Sequence, residues 1–212
     1  YGNSMERTGA NMDHWELAVI CTVIGYLCGC FLTAELAARL AEGKSASEIG
    51  SGNPGMANIM ANLGKKAGFF VLAGDVGKTL IAFGVSWLLA GGLLGRETFL
   101  WAGLGVVLGH NFPFWKKFRG GKGVAVTCTW LIFFMPVWGT VSCIAGGAVV
   151  LATGYLPLGA VLIPLLGTCF AFFSQGIMAG IFFLLSFLLM LSRHYRGLLR
   201  IVRGTEERKF RR

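Results

Sequence analysis

Long apolar stretches alternate with short polar ones along the whole chain. Seven apolar segments run over residues 15–40, 67–92, 97–111, 122–134, 136–153, 157–172 and 175–192. No Asp, Glu, Lys or Arg occurs from Gly123 to Ser192, which is enough chain for about three membrane crossings at roughly 20 residues each. Because lipid offers no partner to an unpaired backbone group, the pattern predicts an all-α polytopic membrane protein.

Two of the seven segments, 97–111 and 122–134, are short. At about 1.5 Å per residue, each covers only roughly 20 Å as a helix, which is less than the hydrocarbon core of a bilayer. We therefore expect about seven transmembrane helices, two of them short. The alternative is five crossings, with the two short segments re-entrant.

Positive charge is unevenly distributed between the segments. The chain of 212 residues carries a formal net charge of +9, and most of its 19 Lys and Arg residues lie within 39–66, 116–122 and 193–212. Cytoplasmic loops are enriched in Lys and Arg, so this distribution predicts an N-terminus outside and a C-terminus in the cytoplasm. Cations confined to short loops also argue against a nucleic-acid partner and for a lipid bilayer.

The chain is predicted to consist of a short N-terminal segment and one domain. Residues 1–12 are predicted to be a tag remnant or a disordered N-terminus. Residues 13–212 are predicted to be a single membrane-embedded domain, with a cytoplasmic tail from about 193. The six cysteines lie in apolar segments without a CxxC pair, which indicates buried small side chains rather than a metal site.

The polar stretch between the two short segments is the first candidate site. It reads GHNFPFWKKFRGGKG over residues 109–123. Gly120, Gly121, Lys122 and Gly123 open the next segment, where a helix N-terminus, free amides and an ammonium together favour phosphate. It is not a nucleotide P-loop, because Gly123 stands where that motif has Ser or Thr. His110 is either a base or an interfacial imidazole bonded to the backbone.

Two further clusters fall on the same predicted side. Around Ser51, Gly52, Asn53 and Asn58, glycines let amides converge and asparagines can donate, with a short helix predicted over 55–63. The alternative is an ordinary Gly/Asn loop. The other cluster joins Arg193 and His194 to a basic stretch ending at Glu206, and its alternative is a lipid-binding tail.

Charges and glycines also occur inside the apolar segments. Asp75 and Lys78 share one helix face at a spacing of three residues. They predict either a structural ion pair or support for the site, since charges at membrane depth face the protein interior. Gly25 and Gly29 form a GxxxG pattern that permits close helix packing.

On these motifs the chain resembles the PlsY family, the bacterial membrane glycerol-3-phosphate acyltransferases that use acyl phosphate as donor. The shared stretches are 50–58, 65–68 with Asp75 and Lys78, 109–113 with 120–125, and 193–194 with 204–206. The resemblance implies a seven-helix enzyme of the bacterial inner membrane with its active site on the cytoplasmic side. It implies acyl transfer to the 1-hydroxyl of glycerol 3-phosphate, giving lysophosphatidic acid, without metal, cofactor or acyl-enzyme.

The motifs and the resemblance together predict the site residues. The predicted catalytic residues are His194, His110 and Lys122, with either histidine, or a substrate phosphate oxygen, taking the hydroxyl proton. The predicted substrate-binding residues are Ser51, Gly52, Asn53, Asn58, Asn111, Gly120, Gly121, Gly123 and Glu206.

Several positions depart from the family pattern. The resemblance implies an Arg near Ser47 and another near Ala61, and the chain has neither. It also has Cys30 in place of Ser and Gly197 in place of Asn. These departures predict a divergent member, which acylates a different small acceptor or has reduced activity. A second alternative is an anion or phosphate-ester transporter, because short helices with their termini aimed at an anion also occur in transporters.

Overall fold

The apolar segments form helices, as their composition predicts. The structure is a computed structural model that describes residues 13–209, and no strand occurs within that range. The helices are α1 His14–Cys30, α2 Thr33–Glu42, α3 Met56–Leu63, α4 Lys65–Leu94, α5 Glu97–Asn111, α6 Val124–Phe134, α7 Pro136–Thr153, α8 Leu156–Ser174 and α9 Ile177–Val202. The all-α prediction is confirmed, and the short helix predicted over 55–63 is α3. The predicted tag remnant at 1–12 lies outside the described residues.

The first apolar segment is two helices rather than one. Phe31 and Leu32 have extended backbone between α1 and α2. Helix ends leave carbonyl groups that need partners, and here they come from distant parts of the chain. The Cys30 carbonyl accepts from Trp115 Nε1 at 2.8 Å, and the Phe31 carbonyl accepts from Lys78 Nζ at 2.8 Å. The break is therefore stabilised by tertiary contacts.

The last helix is longer than its apolar segment. α9 continues from the apolar stretch through Arg193, His194 and Arg200 and ends at Val202. Residues that the sequence assigned to the beginning of a tail are therefore held on a rigid element, which fixes where their side chains lie.

Glycines bring α1 and α5 together closely. A Cβ atom at Gly25 or Gly29 would clash with backbone carbonyls of α5, and one at Gly105 or Gly109 would clash with carbonyls of α1. Both helices thus contribute a GxxxG pair to the same crossing, which allows the backbones to touch. The close packing predicted for the pair in α1 is confirmed, and α5 supplies its partner.

Contacts between loops group them into two ends of the bundle. At one end, Lys116 pairs with Glu35, Arg193 donates to the carbonyls of 120–121, and the Lys209 amide donates to the Gly154 carbonyl. At the other end, Arg96 donates to the Phe134 carbonyl at 2.7 Å. Both short helices, α5 and α6, therefore run from one end to the other.

The outer surface suits a lipid environment. Five helical stretches are long and apolar enough to cross a membrane: His14–Glu42, Lys65–Leu94, Pro136–Thr153, Leu156–Ser174 and Ile177–Val202. Large side chains such as Leu88, Phe173 and Ile177 point outward. Inside, Phe83, Trp130 and Phe183 form a buried aromatic core between α4, α6 and α9. The aromatic core holds together the helices that carry the site.

Candidate active site

One large cavity, of about 1140 Å³, extends from the motif loops into the helix bundle. We call its motif-lined part the polar end; it is formed by Ser51, Asn53, Asn58, His110, Lys122, Gly123, His194, Arg200, Glu206 and Lys209. We call the remainder the apolar channel; its wall comes mainly from α6, α7 and α8 and includes Cys128, Ile132, Phe133, Cys143, Gly147, Val150, Ala160 and Ile163. All three predicted clusters therefore meet at one cavity.

Backbone hydrogen bonds fold the loop before α6 tightly against the end of α5. The amides of Gly120 and Gly121 donate to the carbonyls of Asn111 and His110, at 3.0 and 2.9 Å. Arg193 donates to the carbonyls of the same two glycines at 2.9 and 3.2 Å. These two amides, which the sequence suggested as free anion donors, are thus used inside the loop.

Glycine is required at two positions of this loop by geometry. Gly123 has φ +84°, a left-handed conformation that side chains rarely adopt, and it places the first turn of α6 beside Lys122. A Cβ atom at Gly121 would clash with Nε2 of His110. The loop therefore packs directly on the imidazole, which only glycine permits.

Lys122 is a half-buried cation at the polar end, in the loop before α6. Burial lowers the pKa of its ammonium from the ordinary value of 10.5; the charge of Glu206 opposes this shift, whereas Arg200 and Arg193 add to it. Few anions surround the ammonium, so an incoming phosphate would relieve positive repulsion as well as gain a charge-assisted bond.

The two predicted catalytic histidines both line the cavity and are both buried. Nδ1 of His194 lies 3.0 Å from the Met190 carbonyl, and its Nε2 is buried without a hydrogen-bond partner among residues 13–209. Nδ1 of His110 lies 2.8 Å from Nζ of Lys78. Their ring nitrogens therefore have different partners.

Asp75 and Lys78 form the predicted ion pair inside α4. Nζ of Lys78 lies 2.8 Å from Oδ1 of Asp75, and both side chains are almost completely buried. The same ammonium donates to the Phe31 carbonyl and contacts His110. The structural and the site-supporting interpretations therefore coincide, because one group connects the helix break to a cavity histidine.

The loop over 50–58 is organised by Asn58. Its Oδ1 accepts from the amide and the hydroxyl of Ser51, at 2.9 and 3.1 Å, and its Nδ2 donates to the Ile49 carbonyl at 2.8 Å. Asn58 thus lines the cavity while its polar atoms hold the loop. Ser51 and Asn53 also face the cavity from this loop.

Four predicted binding residues lie behind the cavity wall. Gly52, Asn111, Gly120 and Gly121 are not among its lining residues. Asn111 is fully buried beneath Gly123, and its side-chain atoms have no hydrogen-bond partner among the described residues. These residues shape the loops that carry the lining ones.

Two cations at the polar end were not singled out by the sequence. Arg200 lines the cavity and pairs with Glu206 at 2.6 Å, and Lys209 lines it close to Glu207. Both belonged to a stretch that was interpreted mainly as a lipid-binding tail. The helical spacing that continues through 193–203 was the available signal, because it places these residues on the element that bears His194.

Comparison with known proteins gives a consistent result. The family model described as glycerol-3-phosphate acyltransferase matches residues 19–204. Glycerol-3-phosphate acyltransferase 1 of Lactobacillus johnsonii is 37% identical over 88% of this chain and 89% of its own length. Glycerol-3-phosphate acyltransferase of Thermoanaerobacter sp. is 34% identical over 90% of this chain and 95% of its own length.

Solved structures agree in fold. The crystal structure of PlsY, an integral membrane glycerol 3-phosphate acyltransferase, in its glycerol 3-phosphate form superposes with a TM-score of 0.80 at 28% identity. It covers 90% of this chain and 94% of the other. The lysophosphatidic acid form of PlsY gives a TM-score of 0.78 at 27% identity over the same shares.

Proposed function

Because the chain belongs to the glycerol-3-phosphate acyltransferase family, it is a membrane glycerol-3-phosphate acyltransferase, and we propose that its reaction takes place at the polar end of the cavity. An acyl phosphate donates its acyl group to the 1-hydroxyl of glycerol 3-phosphate, and the products are lysophosphatidic acid and phosphate. This reaction begins phospholipid biosynthesis.

The observation that carries the proposed site is the continuity of one cavity from a cationic end to an apolar channel. Acyl phosphate has a phosphate head and a hydrocarbon tail, so it needs both environments at once. Lys122, Arg200 and Lys209 face the head region, while α6, α7 and α8 enclose the channel. We infer that the acyl chain lies in the channel and the phosphates at the polar end.

We assign roles to the lining residues on their chemistry. Lys122 binds a phosphate with the help of the amides beside it at the start of α6. Asn53 donates to the acceptor. The hydroxyl of Ser51, whose proton is directed at Asn58, offers its oxygen to a hydroxyl of the acceptor, and Glu206 holds Arg200 in place. Since acyl phosphate is already activated, catalysis consists mainly of positioning and of stabilising the developing charge.

We further propose that the protein lies in the bacterial inner membrane with the polar end facing the cytoplasm. The loops that meet at this end carry most of the chain's cations, which is typical of cytoplasmic loops. The opposite end of the described bundle has Arg96 in the loop between α4 and α5. We treat residues 13–209 as one functional unit, since the site draws on helices from both halves.

The test is a reconstituted assay. Purified protein in nanodiscs is given palmitoyl phosphate with glycerol 3-phosphate, and lysophosphatidic acid and released phosphate are measured together. We expect equal amounts of the two products, both dependent on the acceptor. Phosphate release that does not depend on the acceptor, with no lysophosphatidic acid, would contradict the proposed reaction.

One observation favours a second acceptor. The α3 side of the cavity, residues 50–62, contributes no Lys or Arg, so every cation at the polar end comes from the other two motifs. The absence of cations on this side weakens the binding of the phosphate of glycerol 3-phosphate. It does not weaken the binding of an uncharged acceptor such as glycerol. Comparing kcat/KM for the two acceptors in the same assay decides this, and a strong preference for glycerol 3-phosphate removes the second candidate.

The family assignment gives the transporter alternative no support. A separate measurement in proteoliposomes tests it, because a transporter would exchange phosphate across their membrane without forming lysophosphatidic acid.

A further inference from the structure

We propose that the two cavity histidines are held in opposite tautomers, and that Lys78 is the positioning residue that sets the tautomer of His110. Nε2 of His110 then carries the ring proton, while Nε2 of His194 is a bare nitrogen. The chemical consequence of this arrangement rests on the proposed function, but the assignment of the protons rests on hydrogen-bond partners alone.

The partner of His194 fixes its proton. A backbone carbonyl can only accept, so the 3.0 Å contact between Nδ1 and the Met190 carbonyl places the proton on Nδ1. Neutral imidazole carries one proton, which leaves Nε2 as a bare acceptor. That atom is buried and has no partner among residues 13–209.

The hydrogen-bond partner of His110 places the ring proton on the other nitrogen, Nε2. A lysine ammonium has donors and no lone pair, so Nδ1 of His110, 2.8 Å from Nζ of Lys78, must be the acceptor. A protonated imidazole would direct an N–H at the ammonium, so the ring is neutral. Its single proton is therefore on Nε2.

Asp75 keeps this arrangement in place. Its Oδ1 lies 2.8 Å from Nζ of Lys78, so the buried ammonium has a counter-charge. The same oxygen is 3.6 Å from Nδ1 of His110, beyond hydrogen-bonding distance. The carboxylate thus holds the lysine without competing for the imidazole.

The proton on Nε2 of His110 lies beside the loop that carries Lys122. Nε2 lies against the backbone of Gly121, immediately before Lys122, and the described residues supply it with no hydrogen-bond partner. His110 itself lines the cavity. An N–H held by its surroundings and left without a partner is suited to an oxygen that gains negative charge during reaction.

The proton on Nε2 of His110 bears on acyl transfer. The acceptor hydroxyl oxygen bonds to the acyl carbonyl carbon, and its proton passes to an oxygen of the departing phosphate. The bond from that carbon to the phosphate oxygen breaks, and phosphate leaves with the electron pair. Throughout, Nε2–H of His110 donates to an oxygen that carries the developing charge.

The position of Asp75 predicts which tautomer His110 adopts in the variant Lys78→Met. Without the ammonium, the nearest charged group to Nδ1 of His110 is the carboxylate at 3.6 Å. A carboxylate draws the imidazole proton towards itself, so the tautomer of His110 inverts and Nε2 becomes bare. Losing one donor of this kind lowers kcat roughly 100-fold, with little effect on KM.

The experiment is nitrogen NMR of protein labelled with ¹⁵N-histidine in nanodiscs, without substrate. Long-range proton–nitrogen correlations show which ring nitrogen carries the proton. The chain has three histidines, and His14→Gln and His194→Gln assign the signals. We expect Nε2–H for His110 and Nδ1–H for His194 in the wild type, and Nδ1–H for His110 in Lys78→Met.

Thr79→Val is the matched control. Thr79 is the neighbouring residue in α4, is fully buried and donates to the Asp75 carbonyl at 2.8 Å. Its substitution removes a buried hydrogen bond from the same helix without touching either histidine. We expect Thr79→Val to keep both tautomers and a kcat close to that of the wild type.

Two results overturn the proposal: a wild-type His110 protonated on Nδ1, or a His110 tautomer unchanged in Lys78→Met. The wild-type spectrum decides the first even where Lys78→Met does not fold. The spectra need no turnover, so opposite tautomers in a protein that transfers no acyl group would contradict the proposed function and leave this assignment standing.

Discussion

Lys122 shows how much of this site depends on single side chains with distant partners. It is half-buried, and the acidic group that opposes the lowering of its pKa by burial is Glu206, near the far end of the described chain. The sequence marked Lys122 because it stands among glycines. It did not show that Arg193 holds those glycines or that Arg200 lies nearby, since both contacts depend on how α9 packs.

Replacing Lys122 with methionine tests its assignment to phosphate. Removing a charge-assisted hydrogen bond costs about 1.5–3 kcal/mol, so we expect kcat/KM to fall roughly 10–150-fold in Lys122→Met. The reconstituted acyl-transfer assay measures this. Lys117→Met is the control, because Lys117 is an exposed cation of the same loop outside the cavity. Equal losses of kcat/KM in the two variants would mean that Lys122 contributes only to the general positive charge of the loop and makes no specific contact with phosphate.

The lowered pKa of Lys122 predicts an alkaline limit to activity. A cation is charged below its pKa, so activity that needs the ammonium is present at neutral pH and falls as pH rises through the lowered value. This fall comes at a lower pH than the ordinary lysine value of 10.5. The pH profile of kcat/KM shows it. In Lys122→Arg the guanidinium stays charged throughout, so the limit moves to higher pH; an unchanged profile would assign it to another group.

At the scale of helices, packing decided what composition left open. The seven apolar segments were located correctly, but the break at Phe31 and Leu32 was not, because its carbonyls are capped by Trp115 and Lys78 from elsewhere in the chain. Nothing local marks it: neither residue is Gly or Pro. The length of α9 was missed for the opposite reason, since charged residues there continue a helix that composition alone would end.

The crossing of α1 and α5 predicts a packing variant. In Gly105→Ala the new methyl group would meet the Thr22 carbonyl of α1. Overpacking of this kind costs about 1–3 kcal/mol, so we expect a lower midpoint of thermal unfolding in detergent. Gly92→Ala in α4 is the control, because its Cβ meets no atom within 4 Å. Similar midpoints for both variants would mean that the two helices can separate without cost.

At the scale of the whole molecule, charge and topology point the same way. The cations of three loops suggested one common side, and the contacts of Lys116, Arg193 and Lys209 bring those loops to one end of the bundle. The sequence could predict this because the excess of Lys and Arg in these loops can be counted without knowing how the helices pack. It could not choose between seven crossings and five, since α5 and α6 are too short to decide by length.

Orientation can be measured with two single cysteines. Lys117→Cys lies at the end with the polar loops, and Ser174→Cys lies at the opposite end of α8; both positions are exposed. A membrane-impermeant maleimide applied to intact cells should label Ser174→Cys and spare Lys117→Cys, with the unsubstituted protein as background. The reverse pattern would place the site outside the cytoplasm.

The glycine crossing of α1 and α5 also determines how a mutational survey of this enzyme will look. Gly29 stands next to Cys30, whose carbonyl holds Trp115, and Gly109 stands next to His110. Anything that forces the two backbones apart shifts both neighbours together. Positions along the crossing of α1 and α5 will therefore be among the most sensitive to substitution in an activity screen, although they touch no substrate. A screen that measures only growth or turnover would therefore assign too many residues to the catalytic centre. Measuring the abundance of each variant as well would separate residues needed for folding from residues needed for catalysis.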